Sequence, residues 1–575
     1  MRIVVTGAGI VSALGVGKES HVHALLNEQS GITAPCQLQT NNPLPVGEVK
    51  ASNDELKSLL HIKQKEVISR TSLLGITAAR EALEESAITD TAQMAFISGT
   101  TVGGMDYTES HWVKKEHFFR DIVQTHSAGS TTEQTAAHIG TFAYTATLST
   151  ACSSALNAII TACNMLRCGN VKQVLAGGAE SLSLFHYNGF RSLQILSAEQ
   201  CRPFSGDRQG LNLGEGAAYI ILESEESALQ RGAHIIAYIS GYGNACDAYH
   251  QTASSDTGEG AYLAMKKALQ MAGVTTTAVD YVNAHGTATQ NNDSSEATAL
   301  QRLFNNGETL LFSSTKGYTG HATSAAGSIE LVISMLAMQH GFVPANIGWR
   351  LPIPNTPKPT LHTLNKTLNV VLCNSFGFGG NDSSILITKS PTNKELTEEN
   401  DITIEELSCV EVLSDADWKQ FISPMVGRRL TTQMRCLLIA AKQAMTQNRI
   451  SQPDAVITGT DWGCIHNTTA LLNQLTEEGE DSMSPTLFMQ STHNTPSSLI
   501  AIQTANHGYN ATYSHGKDSF SQALLDARMQ LKLGLIQSAL VLGFEEPDET
   551  WQQLTTQANT PYQPLAKAVI LQCHA

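Results

Sequence analysis

Residues 146–180 read ATLSTACSSALNAIITACNMLRCGNVKQVLAGGAE, and residues 511–545 read ATYSHGKDSFSQALLDARMQLKLGLIQSALVLGFE. The first stretch runs from an apolar, β-leaning segment through small residues into an alanine-rich helical segment. It then turns at Gly169 and enters a second apolar run. The second stretch repeats this order without a gap, at a constant offset of 365 residues. Ala146, Thr147, Ser149, Ser154, Ala158, Ala162, Leu166, Gly169, Leu175, Gly178 and Glu180 all recur. An ungapped register through strand, turn, helix and strand argues for duplication. VITGTDWGCI (456–465) also mirrors FISGTTVGGM (96–105). Cys152 stands on the hinge of the first copy, and Lys517 takes its place in the second.

The same alternation continues outward. MAFISGT, AAYIILES, YVNAHGT and NVVLCNSFG are short, apolar and bounded by turn residues, while SLLGITAAREALEES and GAYLAMKKALQMAG have helical spacing. This predicts α/β architecture. The stretch 389–406, KSPTNKELTEENDITIEE, is polar and acidic and reads as a linker. It divides a body of residues 1–388 from a tail of residues 407–575.

The bulk properties narrow the function. The chain has 575 residues, is 42% hydrophobic and carries a net charge of −16, which suits a large globular core and argues against nucleic acid as the main partner. Eleven cysteines are scattered without a CxxC pair, so the sequence reads as reduced and cytoplasmic, with no zinc or other metal site. The opening MRIVVTGAGIVSALG reads as a strand and a glycine turn rather than a signal peptide. TGAGIVSALG lacks the GxGxxG pattern, which leaves dinucleotide binding little weight. No apolar run reaches membrane-spanning length.

Four segments carry chemistry. A free cysteine is most often a buried structural thiol. Cys152, however, falls where a helix begins, among unpaired N–H groups and the positive dipole end. A dipole worth up to ~2 kcal/mol would draw a thiol from ~8.5 towards ~7. The small neighbours Ala151, Ser153 and Ser154 would leave room for a substrate. His285, in NAHGTATQNNDSSE, and Lys316 and His321, in SSTKGYTGHATSAAGSIE, sit in turns after strands, with Glu330 on the helix that follows. A lone histidine or lysine there is usually structural or solvated. Two histidine-bearing turns in one α/β body favour a shared cleft, and two imidazole donors on one thioester carbonyl would stabilise an enolate. NSFGFGGNDSS, 374–384, places Phe376 and Phe378 in a glycine-rich loop able to block or open an apolar pocket.

Taken in order, RIVVTGAGIVSALG, TACSSAL, LAGGAES, CRPFSGDRQGLNLGEGAA, NAHGTAT, KGYTGHATSAAG and NSFGFGGND resemble the β-ketoacyl-acyl carrier protein synthases, the elongating condensing enzymes. The resemblance covers roughly residues 1–390. It implies a thiolase-type five-layer α/β fold of two similar halves, 1–228 and 229–388. It implies a decarboxylative Claisen condensation in fatty acid, polyketide or polyene elongation, that is, 3-oxoacyl-acyl carrier protein synthase activity. By resemblance Cys152 takes the acyl chain, and His285 and His321 hold the malonyl thioester carbonyl. Lys316 pairs with Glu330, the N–H groups of Cys152 and Phe378 form an oxyanion hole, and Phe378 with Phe376 gates the pocket. Thr287 and Thr289 support the His285 turn. No cofactor is implied beyond the 4'-phosphopantetheine arm that an acyl carrier protein brings. The expected partners are that carrier protein and a second ketosynthase subunit, as homodimer or heteromer through the N-terminal halves. Lys63, Lys65 and Arg70, the Lys114–Lys115 doublet and Arg208 are candidate docking residues for the acidic carrier. The sequence departs from the family pattern at Gln290, at Ser324 and at Gly379-Gly380-Asn381-Asp382.

The tail resembles the first half of a ketosynthase, especially the chain-length-factor group. It stops before any counterpart of His285 or His321. It therefore reads as a noncatalytic half-domain that packs on the body of its own or another chain. Two other readings are a chain-length or scaffold subunit throughout, and a thiol hydrolase using Cys and His. The intact set of Cys152, His285, His321 and Lys316 favours the condensing enzyme over both.

Overall fold

The computed structural model describes residues 1–304, 310–400, 402–559 and 563–574. Asp401, inside the expected linker, and Ala575, at the end of the expected tail domain, lie outside them. Among the described residues one mixed sheet runs through the whole molecule. Its tail portion runs in the order Thr403–Glu411, Leu565–His574, Ser538–Glu545, Ala455–Gly459, Tyr509–Tyr513. The first half of the body continues it with Tyr144–Leu148, Ala95–Gly99, Gln173–Glu180, Gly216–Ser224 and Ile3–Ser12. The second half adds Ala237–Cys246, Asn381–Thr388, Val370–Gly377, Tyr281–Asn283 and Phe312–Ser313.

The body has the five layers expected. The helix Arg70–Ser86 covers the outside of the first half's strands, and Glu259–Ala272 covers the outside of the second half's. Between the halves lie Ser154–Arg167 and Ala326–His340, which pack on each other. Every residue of Ser154–Arg167 is buried. A helix buried all round needs apolar or small side chains on every face, which SALNAIITACNML supplies except at Asn157 and Asn164, whose amides are hydrogen-bonded to Asn381 and Tyr242. The opening segment is a ten-residue strand, Ile3–Ser12, followed by the tight turn Ala13–Leu14 into Gly15, whose φ is 122°. The strand's glycines admit the covering helix. A Cβ on Gly9 would lie 2.0 Å from the Ala78 carbonyl oxygen, and one on Gly7 would lie 2.2 Å from that of Ala82.

The tail copies the first half and closes against it. The helices Ser154–Arg167 and Ser519–Lys532 have bounds 365 residues apart, as do the strands Gln173–Glu180 and Ser538–Glu545. Tyr144–Leu148 and Tyr509–Tyr513 obey the same offset and meet antiparallel, with Leu148 opposite Tyr513. The seam bonds are reciprocal: Ser149 N–H donates to Thr512 O at 2.9 Å, and Ser514 N–H donates to Thr147 O at 2.9 Å. The two copies are thus related by a local two-fold axis through this edge. The tail of the same chain occupies the edge expected to pair with another subunit. The expected linker is shorter than read, because Thr403–Glu406 already belong to the tail's outer strand. Leu396 in that stretch is buried and donates its N–H to Met1 O at 3.0 Å.

Candidate active site

The strand Tyr144–Leu148 delivers Cys152 to a single 3-10 turn, Ala151–Ser153, that opens the helix Ser154–Arg167. Ala151 takes a left-handed φ of 53° to make that corner. The small neighbours do more than leave room. Thr150 N–H donates to Ser154 Oγ at 2.9 Å, and Ser154 Oγ donates to Ala151 O at 2.6 Å. Ser153 Oγ lies 2.8 Å from both Thr150 O and Asn381 Oδ1, and Ser375 Oγ donates to Cys152 O at 2.9 Å. The turn is therefore tied to both halves of the body.

His285 and His321 arrive from the second half. Their rings stand nearly perpendicular with centroids 5.2 Å apart, and His321 Nε2 lies 3.2 Å from Cys152 Sγ. One ligand-type atom from each of Cys152, His285 and His321 falls within 4.8 Å of the others. The His285 turn hangs on Glu296, which accepts N–H bonds from His285 at 2.9 Å and Gly286 at 2.8 Å. Asp293 accepts from Ala288 N–H at 3.0 Å, and Thr287 and Thr289 bond each other at 3.0 Å. Lys316 is fully buried. Its Nζ pairs with Glu330, donates to His285 O at 2.5 Å, and lies 3.2 Å from His285 Nδ1. An ammonium donor at Nδ1 leaves the imidazole proton on Nε2, so Lys316 selects the tautomer that presents an N–H.

Electrostatics correct one expectation. Burial pushes the Cys152 thiol up to about 12, against the Lys316 charge and the N–H groups of Phe378 and Cys152 itself. Burial thus favours the neutral thiol, and His321 Nε2 is its hydrogen-bond partner. Burial, then the Lys316 charge, holds both His285 and His321 well below the ordinary histidine range. Both imidazoles are neutral, so His321 Nε2 is able to accept the thiol proton, while His285, with Nδ1 facing Lys316, presents its Nε2–H. Burial raises the Glu330 carboxyl to about 7, with Lys316 opposing the rise.

Two cavities meet at Cys152. One opens outward past Thr287, Thr289, Gln290 and Phe376. The other runs inward past Phe185, His186 and Phe190 to the seam with the tail. Phe378 lines both and stacks on Phe190 at 5.7 Å. Rings from both copies line the inner cavity, His126 from the body and Trp462 and Phe488 from the tail. Body His126 stacks on tail Trp462 at 6.1 Å, and Trp551 packs 4.5 Å from His126 and 4.9 Å from Trp462. Thr468 and His493 of the tail also line it.

The family departures are absorbed by local bonds. Ser324 Oγ donates to Glu180 Oε2 at 2.5 Å, and Gln290 Nε2 donates to Arg208 O at 2.5 Å. Asn381 accepts from Asn157 Nδ2 at 2.7 Å and donates to Asn510 O of the tail at 2.7 Å.

Two docking candidates are overturned. Arg70 and Arg208 are only 6% and 3% exposed. Arg70 is spent on Glu215, and Arg208 on the carbonyls of Thr289 and Gln290. Lys63, Lys65 and Lys114 are exposed, and Lys115 is half-buried over the Trp112 ring. Lys517, expected to fill the spot opposite Cys152, instead projects from the surface. His515 beside it is buried and partnered across the seam, 2.9 Å from Thr147 Oγ1 and 3.1 Å from Glu133. The sequence predicts that the tail shapes the acyl tunnel, but it does not single out the tail residues that line the inner cavity. The VITGTDWGCI repeat carried the signal, since it sets Asp461 and Trp462 in register with Thr101 and Val102, which line the same cavity.

Profiles of the β-ketoacyl synthase N-terminal and C-terminal domains match residues 1–228 and 236–350, and a second β-ketoacyl synthase N-terminal profile matches 405–575. The 3-oxoacyl-acyl-carrier-protein synthase 2 of Vibrio cholerae is 33% identical over 411 residues, covering 68% of this chain and 99% of that protein. A solved structure titled as the ishigamide ketosynthase/chain length factor aligns with a TM-score of 0.63 at 28% identity, over 68% of this chain and 99% of that one. One titled PfaC Keto synthase-Chain length factor aligns over 99% of this chain and 78% of its own, with a TM-score of 0.79 at 16% identity. The latter likeness concerns the fold, and it spans body and tail together.

Proposed function

The chain belongs to the β-ketoacyl synthase family, whose reaction is a decarboxylative Claisen condensation, and on that premise we propose that Cys152, His285, His321 and Lys316 perform it here. The observation that carries the assignment is His321 Nε2 at 3.2 Å from Cys152 Sγ, with a second neutral imidazole beside it. An acyl thioester enters from a carrier protein through the outer cavity. Cys152 Sγ attacks its carbonyl as the thiol proton passes to His321, and the carrier thiolate leaves with a proton. A malonyl thioester then takes the place of the first carrier. The N–H groups of His285 and His321 hold its carbonyl, the bond to its carboxylate breaks, and carbon dioxide leaves. The enolate carbon attacks the acyl-Cys152 carbonyl. The oxyanion is met by the N–H groups of Cys152 and Phe378 until the bond to Cys152 Sγ breaks, the sulfur takes up a proton from water to restore the thiol, and the 3-oxoacyl chain leaves on the carrier.

The tail serves as a built-in chain-length half. It supplies no counterpart of the histidines, and its rings line the inner cavity. A second copy of the chain is not needed at that edge. Lys63, Lys65 and Lys114 remain the docking candidates for the carrier. A thiol hydrolase is disfavoured, because such a site needs a histidine oriented by a carboxylate or amide. Here His285 Nδ1 faces an ammonium, and His321 Nδ1 is buried without a partner among the described residues.

The test supplies acyl- and malonyl-carrier protein. A 3-oxoacyl product, carbon dioxide and an acyl adduct on Cys152 by intact mass are the expected result. Hydrolysis of the acyl carrier without carbon–carbon bond formation would refute the reading.

A further inference from the structure

The tail helix Thr495–Thr504 begins against the gate loop of the body. Its N-cap is Asn494, a residue type whose side chain ordinarily accepts a backbone N–H of the first turn. Asn494 makes no such bond. Its Nδ2 instead donates to Phe378 O at 2.9 Å. In the body, the helix Ala128–Ile139 has Ser127 at its N-cap, and Ser127 caps it by accepting from Ser130 N–H. At the 365-residue offset the counterpart of Ser127 is Thr492, whose Oγ1 bonds Thr495 Oγ1 at 3.1 Å as Ser127 Oγ bonds Ser130 Oγ; Asn494 is left free to hold a carbonyl of the loop that carries both the gate ring and the proposed oxyanion-hole N–H.

The contact is close. Asn494 is 1% exposed. The next two loop residues, Gly379 and Gly380, have left-handed φ values of 84° and 75° that favour glycine. A Cβ on Gly379 would lie 2.0 Å from Ser498 Oγ and 2.9 Å from Asn494 Nδ2. Gly379 N–H donates to Gln251 O at 2.7 Å, so Phe378 is the last residue before a pinned glycine pair. Fixing its carbonyl fixes the peptide that follows it and, with that, the setting of its ring between the two cavities.

Resting on the ketosynthase reading, we infer that Asn494 is a positioning residue for condensation: the tail acts on the reaction by holding the Phe378 carbonyl, and so holds the gate shut and the oxyanion N–H aimed at Cys152. Acyl loading needs the gate open, and carbon–carbon bond formation needs it set. Losing the strut therefore separates the two half-reactions, which mere loosening of the seam does not do.

The experiment uses the full-length chain with acyl- and malonyl-carrier protein. Acyl loading of Cys152 by intact mass, condensation turnover, product chain lengths and melting temperature are all measured. Asn494→Ala is expected to lower condensation about tenfold, as loss of one buried hydrogen bond implies. Loading stays within about threefold of the parent, and the product lengths broaden. Ser498→Ala removes a neighbour on the same face that makes no hydrogen bond to the loop, and it keeps condensation near the parent rate. Parent-like condensation and product lengths in Asn494→Ala would overturn the inference. So would a parallel fall in loading, turnover and melting temperature, or an equal loss in Ser498→Ala. Absence of any 3-oxoacyl product from the parent chain would instead strike the ketosynthase reading itself.

Discussion

Ala151 and Gly516 occupy the same point of the two turns, with φ of 53° and 57°. A left-handed residue other than glycine costs roughly 1–2 kcal/mol. The body bears that cost where the corner must present a nucleophile, and the tail, with nothing to present, has glycine. No atom lies within 4 Å of a Cβ built on Gly516, so Gly516→Ala adds backbone strain without a clash. It should lower stability by about 1 kcal/mol, read from the denaturant midpoint, with turnover unchanged. At the catalytic copy, Cys152→Ala should abolish the acyl adduct and the 3-oxoacyl product. Release of carbon dioxide from malonyl-carrier protein should continue, because His285 and His321 hold the enolate without the thiol. Loss of that release as well would detach the histidines from the decarboxylation step. The residues proposed for catalysis were legible because each lies in a short segment soon after a strand, where local sequence dictates geometry. Arg70 and Arg208 were misread because charge does not reveal burial. Only the fold brings Glu215 to one of them and the Thr289 and Gln290 carbonyls to the other.

Elements decide what the cavity holds. The strand Ala455–Gly459 ends in the turn that carries Trp462, as Ala95–Gly99 ends in the turn that carries Val102. Both turns line the inner cavity, one from each side of the seam. The duplication itself was readable in the sequence. The repeat VITGTDWGCI also set Asp461 and Trp462 in register with Thr101 and Val102, but which side chains touch across the seam was not readable, since that packing is specified by shape. Trp462 stacks on His126 and abuts Trp551, so its indole sets the depth. Trp462→Leu should keep the floor apolar while shortening it, and shift the products towards longer chains. The stability cost is about 1–3 kcal/mol, below that of truncation to alanine. Mass spectrometry of the acyl chains on Cys152 and on the carrier checks this. An unchanged length distribution would remove Trp462 from the role of floor.

The whole molecule is a two-fold assembly made from one and a half copies. The half that was kept is the half that owns the pairing edge, with Leu148 opposite Tyr513 at the axis. What it lacks is the partner for its own outer strand. In the body Ile3–Ser12 continues into the second half through Ala237–Cys246, whereas Thr403–Glu411 ends the sheet. That edge carries Glu405, Glu406 and Glu411, and charge on an exposed edge discourages further strand addition. The inner edge has no such protection. Tyr144–Leu148 ends in three buried residues, and beside it Phe185, Phe190 and Trp112 lie in a core cluster shared with Phe488 and Trp551 of the tail. Removing residues 400–575 should bare that surface together with a free strand edge. The truncated body should then associate through Tyr144–Leu148, giving a larger species by analytical ultracentrifugation, with altered product length wherever condensation survives. A truncated body that stays monomeric and makes the same products would show that the tail neither completes the fold nor shapes the cavity. Adding Ser149→Pro to the truncated body separates edge pairing from general stickiness. Proline removes the N–H that bonds Thr512 O in the intact chain, so association by strand pairing should weaken and non-specific hydrophobic association should not.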